Sequence, residues 1–231
     1  MEALNFKVVD FATQLAVILF AISFHESAHA YAALRFGDTT ARDLGRISLN
    51  PIRHIDPIGS VLLPLFLYFT SGLLFGYAKP TPVDLRNTSN PRLADLVVSA
   101  AGPLSNLFLS TVGLIGVVAV KVVAPGSMRA LVDALQGQRF GQGAAAPVAY
   151  LLFQFALVNF QLGIFNLVPI PPLDGSWVLA SVFGEPVRRF FQEFGRFGFI
   201  VLILLSSTRF LSLLLRPFLE VFFALANRAI S

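Results

Sequence analysis

The sequence predicts an all-α polytopic membrane protein, because of its composition, its long apolar runs and the lack of strand-like alternation within those runs. Hydrophobic residues make up 55% of the 231 residues and charged residues only 13%, about half the charged fraction of an ordinary soluble domain. Several runs approach the roughly 20 apolar residues that a helix needs to cross a bilayer. We expect about four to six transmembrane or re-entrant helical segments in one integral-membrane domain over residues 1–231, with a core at residues 10–180.

Charge and cysteine content exclude several classes of function. The net charge of +4 comes mainly from arginines in the polar connections, as expected for a membrane protein with basic loops on one side. No basic run is interleaved with aromatic residues, so we expect no nucleic-acid partner. The chain has no cysteine, so a metal site here must use histidine and carboxylate ligands.

The first part of the chain reads as one long helix followed by polar connections. Apolar residues predict a helix over residues 10–36, which ends at Gly37. Residues 45–50 (G-R-I-S-L-N) alternate like a short strand, and residues 76–83 read as an extended stretch stiffened by prolines.

The apolar stretch at residues 58–75 has two interpretations, a short membrane span or a re-entrant hairpin, because Pro64 interrupts it. If it spans the membrane, the lysines and arginines divide almost evenly between the two sides. If it re-enters, most basic residues from 35 to 92 fall on one side, and the positive-inside rule puts that side in the cytoplasm. The asymmetry favours the re-entrant interpretation.

The second half of the chain alternates apolar segments with polar ones. In chain order these are a helix over 91–124, a Gly-rich connection at 125–147, a helix over 147–168, a charged linker at 185–196, an apolar region at 197–215 and an amphipathic tail after Pro217. The helix at 147–168 must stop where three prolines follow it. The tail is suited to the membrane interface.

The pattern H-E-x-x-H at residues 25–29 lies inside the first apolar segment. His25 and His29 are four residues apart on one helical face, the spacing that directs two imidazoles to one zinc ion. Glu26 is placed beside them, where it can accept the proton of a water molecule. Ionisable residues at membrane depth are costly, so this cluster predicts function.

A hydrolytic zinc site needs a third protein ligand and an open position for water. Asp174, directly after the proline-broken helix end, is the better candidate, because we expect non-helical backbone there to turn its carboxylate inward. His54 is the only other histidine, and it lies in a polar loop beside Arg53 and Asp56. Asp174 could instead form a local turn, and Asn106 an ordinary polar contact between helices.

Three segments together resemble the site-2 protease family of intramembrane zinc metalloproteases, in its short prokaryotic form without PDZ or CBS domains. They are H-E-S-A-H at residues 25–29, A-G-P-L-S-N at 101–106 and N-L-V-P-I-P-P-L-D-G at 166–175. The resemblance covers roughly residues 10–180, and the first and third motifs carry most of it.

The resemblance implies that His25, His29 and Asp174 bind zinc and that Glu26 is the general base. Asn106 would hydrogen-bond the substrate backbone or the oxyanion. The family also implies membrane-protein substrates, regulated cleavage in or near their transmembrane segments, and a prokaryotic cell membrane with the active site toward the cytoplasm. A small membrane-associated β-sheet would guide the unwound substrate, and the two strand-like segments at 45–50 and 76–83 are where we expect it.

Two other functions remain open from the residues alone. A catalytically silent membrane protein could bind a metal or a client, but it would be expected to have lost a ligand or the base. A metal or proton transporter would carry ionisable residues along a path through successive helices, whereas here they concentrate at one level.

Overall fold

The computed structural model describes residues 2–62, 65, 78–137, 143–206, 208 and 210–230. These residues form a helical protein whose helices we number in chain order. They are α1 (Glu2–Arg35), α2 (Thr40–Asp43), α3 (Pro91–Val123), α4 (Ser127–Leu135), α5 (Ala145–Asn166), α6 (Asp174–Phe183), α7 (Glu185–Ser206) and α8 (Phe210–Ile230).

Helix α3 is the centre of the fold, since it packs against α1, α5 and α6. Small residues allow the close approach of α3 and α5: a Cβ on Gly113 would lie 2.9 Å from Ala156 Cβ, and one on Gly163 would lie 3.0 Å from the Pro103 carbonyl oxygen. Such close backbone contacts are typical of helices that associate within membranes. They bring the backbones of α3 and α5 close together along the side of α3 that faces α5.

Within the described residues, three helices are long and apolar enough to cross a membrane: Val8–Arg35, Pro91–Val123 and Ala145–Asn166. The predicted helices at 10–36, 91–124 and 147–168 correspond to them. The prediction of four to six segments also relied on residues 58–75. Of those, residues 58–62 belong to a short π-helical turn, Pro57–Leu62, and residues 63–64 and 66–75 lie outside the described residues.

The expectation of a small β-sheet is wrong for the residues that the structure describes. Residues 45–50 contain the end of a turn and two bends but no strand, and residues 78–83 have no regular secondary structure; residues 76 and 77 lie outside the description. Pro80 and Pro82 have no N–H to donate to a ladder. In the first segment, the backbone amide of Ser48 bonds instead to Ser27 Oγ at 3.2 Å. Side chains satisfy backbone groups that a sheet would otherwise have paired.

Two predicted connections and one predicted apolar region also differ from the structure. Residues 185–196 are not a linker but the start of α7, where Glu185 and Arg189 form an ion pair at 2.9 Å one turn apart. The connection at 125–147 contains α4, and the apolar region at 197–215 is divided between α7 and α8. Beyond Pro217, Phe222 of the tail is only 1% exposed and its ring lies 5.0 Å from that of Phe160 in α5.

Candidate metal centre

His25, His29 and Asp174 meet where α1 faces the start of α6. Each offers one ligand atom, and these atoms all lie within 4.8 Å of one another; no other such group of three or more His, Cys, Asp or Glu occurs among the described residues. His25 Nε2 is 3.0 Å from His29 Nε2. Asp174 Oδ2 is 3.1 Å from His25 Nε2 and 3.4 Å from His29 Nε2. The three side chains that the sequence indicated as metal ligands are therefore adjacent.

The far side of each imidazole determines which nitrogen carries the proton. His29 Nδ1 lies 2.6 Å from the Val98 carbonyl oxygen, and His25 Nδ1 lies 2.6 Å from Asn106 Oδ1. Both partners are acceptors, so each Nδ1 donates and each neutral ring keeps a lone pair on Nε2. Three lone pairs, two on nitrogen and one on a carboxylate oxygen, therefore converge on one point.

This arrangement fits a bound cation and specifically suits zinc. Converging lone pairs repel one another unless a positive charge lies between them, and Asp174 Oδ2 is buried with no hydrogen-bond donor. Ligands at zinc–ligand lengths of about 2.0–2.1 Å in a tetrahedron are about 3.3 Å apart, close to the separations of 3.0, 3.1 and 3.4 Å here. Two imidazoles and a carboxylate are a donor set of catalytic zinc sites, in which the fourth position stays open.

Helix α3 passes close beside the Nε2 atoms of the two imidazoles, which is possible because residue 102 has no side chain. A Cβ on Gly102 would lie 2.3 Å from His29 Nε2 and 2.6 Å from His25 Nε2. The next residue, Pro103, has no N–H for the helix, and proline locally opens the preceding turn. One turn before Gly102, the Val98 carbonyl accepts the hydrogen bond from His29.

Asp174 is the first residue of α6, not part of the non-helical segment that the sequence suggested. The turn after Asn166 does end α5 at the prolines, but the chain resumes helical geometry at the carboxylate itself. A helix N-terminus favours a negative charge. Gly175 allows this packing, since a Cβ there would lie 2.2 Å from the Leu167 carbonyl oxygen.

The sequence model of peptidase family M50 matches residues 13–206, which include the complete site. The chain belongs to peptidase family M50. The resemblance to the site-2 protease family is thereby confirmed, together with the expectation that the chain is a zinc metalloprotease. Its three membrane-spanning candidates and its family make this M50 peptidase an integral membrane protein.

Curated relatives of this M50 peptidase agree with the family. The Bacillus subtilis protein named "Putative zinc metalloprotease YwhC" is 38% identical over 210 residues, which cover 88% of this chain and 85% of the relative. Rip2 of Mycolicibacterium smegmatis, with the same description in its name, is 28% identical over 86% of this chain and 68% of its own length. The Salmonella typhimurium "Regulator of sigma-E protease RseP" is 30% identical over 55% of this chain and 29% of its own length. No solved structure gives a significant match.

Asn106 of this M50 peptidase lies against the Nδ1 side of His25, with no exposed surface. Its Nδ2 donates to the Ala21 carbonyl at 3.2 Å and to Asn159 Oδ1 at 2.9 Å, and its Oδ1 faces His25. Asn159, also without exposed surface, donates its own Nδ2 to the Phe155 carbonyl at 2.8 Å. The sequence analysis missed Asn159. The signal was present, since a lone asparagine within an apolar helix commonly bonds a neighbouring helix.

Glu26 lies next to His25 but points to a different partner. Its Oε2 accepts a hydrogen bond from the backbone N–H of Thr81 at 2.7 Å, and its carbonyl oxygen lies 3.1 Å from the Thr81 hydroxyl. No sequence signal identifies Thr81, because the group that matters is a backbone amide that every residue except proline possesses.

His54 is not among the converging ligands. Its side chain is 1% exposed, and its Nε2 donates to the Ser48 carbonyl at 2.7 Å. The pKa of His54 is lowered, mainly by burial and also by the positive charge of Arg46. The hydrogen bond to the Ser48 carbonyl acts in the opposite direction but is outweighed. Because the neutral form is favoured, His54 is a structural hydrogen-bond donor in the loop beside the site.

Proposed function

We propose that this M50 peptidase cleaves peptide bonds in or near the transmembrane segments of other membrane proteins, with His25, His29 and Asp174 as the zinc ligands. The observation that carries the proposal is the convergence of three lone pairs, two from α1 and one from α6, on one point within the membrane-spanning part of the fold. When bound there, zinc would polarise the scissile carbonyl and lower the pKa of the attacking water. Regulated proteolysis is consistent with the relative whose name describes a regulator of sigma-E protease.

Glu26 would act as the general base. It is adjacent in sequence to His25 on the same helix, and one oxygen of its carboxylate, Oε2, accepts from the Thr81 amide. A carboxylate in this position can take a proton from the attacking water and deliver it to the leaving amine nitrogen. Asn106 would orient His25 through the hydrogen bond at its Nδ1, and the substrate and oxyanion roles expected of Asn106 stay predictions.

Water would reach the site from the end of α1 at Arg35. His25 lies about 15 Å along the helix from that end. The Asp174 side chain is 19% exposed, compared with 8% for His25 and 10% for His29, so the site is most open beside the carboxylate. The basic residues near this end of α1 are Arg35, Arg42, Arg46 and Arg53. The positive-inside rule therefore favours an active site toward the cytoplasm of a prokaryotic cell.

The decisive experiment compares the purified chain with its Glu26→Gln variant, which has nearly the same shape but no base. Both would be loaded with zinc, reconstituted in lipid nanodiscs and offered a panel of single-span membrane proteins. We expect cleavage by the unmodified chain alone. Equal cleavage by both proteins, or none by either across the panel, contradicts the proposal.

The ligand assignment has its own test. Asp174→Ala should lower the zinc content per chain, measured by atomic emission after dialysis, and Asp56→Ala is the matched control in a loop outside the cluster. Unchanged zinc stoichiometry in Asp174→Ala would remove Asp174 from the site.

A further inference from the structure

The extended segment at residues 78–83 is fastened to the carboxylate of Glu26. The Thr81 amide donates to Glu26 Oε2 at 2.7 Å, and the Thr81 hydroxyl lies 3.1 Å from the Glu26 carbonyl oxygen. Pro80 and Pro82 flank this threonine and have no amide proton. The N–H of Thr81 is therefore the only backbone donor that the Pro-Thr-Pro stretch can offer.

Arg46 also binds the segment at residues 78–83, through backbone carbonyls. Its side chain is largely buried, with 7% of the residue exposed, and its guanidinium donates to the carbonyls of Lys79 and Pro80, the latter at 3.1 Å. It also donates to the carbonyl of Arg53. The planar, rigid arrangement of guanidinium donors suits such simultaneous contacts. The carbonyls on one side of Thr81 are therefore fixed, and its amide has little freedom to move.

A series of hydrogen bonds also connects this segment to α1, the helix that contains H-E-x-x-H. The Lys79 amide donates to the His54 carbonyl at 2.9 Å, and the His54 ring donates to the Ser48 carbonyl. That carbonyl also accepts from Ser27 Oγ at 2.6 Å. Ser27 is the residue after Glu26, so a closed chain of hydrogen bonds joins the segment to the helix at the base and at the residue that follows it.

We propose that the Thr81 backbone amide positions the Glu26 carboxylate for proton transfer, which makes Thr81 a positioning residue of the reaction. This inference rests on the proposed function, in which Glu26 is the base. A glutamate side chain has three rotatable bonds, and a fixed donor on one oxygen restricts them while leaving the other oxygen to receive a proton. Productive geometry of this kind strongly affects rate.

The first experiment removes the amide proton and keeps the rest of the segment. Thr81→Pro, and an ester at the same position made by incorporating the α-hydroxy analogue of threonine, both lack the N–H. Thr81→Val keeps the amide and the branched shape but loses the hydroxyl. With a panel substrate that the unmodified chain cleaves, we expect kcat to fall by about tenfold to a hundredfold in the first two, with KM unchanged. Thr81→Val should lose less kcat than the ester variant, because it keeps the amide.

The second experiment observes the hydrogen bond without catalysis. Pro80-Thr81 is the only Pro-Thr pair in the chain, so carbonyl-¹³C proline combined with ¹⁵N threonine gives a single amide signal in NMR spectra. Glu26→Ala should accelerate hydrogen exchange of this amide by about tenfold or more. Glu185→Ala, a control that removes an exposed glutamate in α7, should leave the rate unchanged.

The outcomes separate the two proposals. The role of Thr81 is overturned if the ester variant has a full or a higher kcat. It is also overturned if Glu26→Ala leaves the exchange rate of the Thr81 amide unchanged. If Glu26→Gln is inactive at the same time, the protease proposal survives. Misfolding of Thr81→Pro, detected by a lower unfolding temperature and a lower zinc content, leaves the ester variant and the exchange rate to decide.

Discussion

Asn106 determines which ring nitrogen of His25 carries the proton, because Asn106 Oδ1 lies 2.6 Å from His25 Nδ1. The amide cannot be reversed without loss, because its nitrogen already donates to the Ala21 carbonyl and to Asn159. Nδ1 of His25 must therefore carry the proton, and Nε2 presents its lone pair toward His29 and Asp174. A hydrogen bond between two residues that are 81 positions apart in sequence thus determines which nitrogen of His25 is available to a metal.

Removing this hydrogen bond should weaken zinc binding. Asn106→Leu is close in size but offers no acceptor, so we expect the zinc dissociation constant to rise by about tenfold to a hundredfold. Competition with a fluorescent zinc chelator measures it. Ser105→Ala is the control, since Ser105 Oγ bonds only the Gly102 carbonyl of its own helix, at 2.7 Å. An unchanged dissociation constant in Asn106→Leu would show that the tautomer of His25 does not depend on Asn106.

Asn159 should influence zinc binding through Asn106 alone. Asn159→Leu deprives Asn106 Nδ2 of one acceptor, and we expect a smaller loss of zinc affinity than in Asn106→Leu. Asn159→Asp should restore most of it, because a protonated carboxyl can donate to Phe155 and accept from Asn106 in the same geometry. The double variant Asn106→Leu/Asn159→Leu should bind zinc no more weakly than Asn106→Leu. An additive loss would contradict action through a shared path.

Gly102→Ala should disturb the site by steric contact. The new methyl would lie 2.3 Å from His29 Nε2, and its next nearest atoms, at 2.6 Å, belong to the His25 ring. We expect a lower zinc content and a loss of about 1–3 kcal/mol in the free energy of unfolding, measured by denaturation in detergent. Gly126→Ala is the control, since a Cβ there has nothing within 4 Å. Normal zinc content in Gly102→Ala would mean that α3 can move away from α1.

The loop that follows α1 should lose stability in acid through Asp38. Burial opposes its ionisation, but hydrogen bonds from Thr40, from the Asp84 amide and from Asn87 outweigh this and lower the pKa of Asp38 below 3.8. A lowered folded-state pKa gives stability that is present above the unfolded value and is lost as pH falls through the folded value. We therefore expect the unfolding temperature to fall below about pH 4.

Asp38→Asn should remove this part of the pH dependence and destabilise the protein at neutral pH by about 1–3 kcal/mol. The Asp84 amide donates to Asp38 Oδ2 at 2.7 Å, and an asparagine cannot accept on both sides. Thermal unfolding of both proteins from pH 3 to pH 7 measures the difference. Asp43→Asn is the matched control, because Asp43 is exposed and its ion pair with Arg42 is screened by solvent. Parallel pH profiles for Asp38→Asn and the unmodified chain would exclude Asp38 as the cause.

The local part of the site was predictable because its geometry follows from helix periodicity. Residues four apart share a face in any helix, so His25 and His29 could be paired before their surroundings were known. Asp174 could be named as the better candidate for a third ligand, because the chain has no cysteine and Asp174 follows a proline-broken helix end; the resemblance to the site-2 protease family implied the same residue. The proline break before it was also correct. The sheet was not, because alternation and extended backbone at residues 45–50 and 78–83 do not reveal that side chains would satisfy the backbone.

Composition, periodicity and the chemistry of a few residue types were enough to predict a helical membrane protein, the zinc-binding pattern and Asp174 as the better candidate for a third ligand. The packing of the helices and loops, in contrast, brings Asn159 to Asn106, Val98 to His29 and the Thr81 amide to Glu26. These contacts join separate elements through the packing of α1, α3 and α5 and through the loops beside α1. Two of the groups are backbone atoms, a carbonyl and an amide that nearly every residue possesses, so their roles follow from position rather than from residue type.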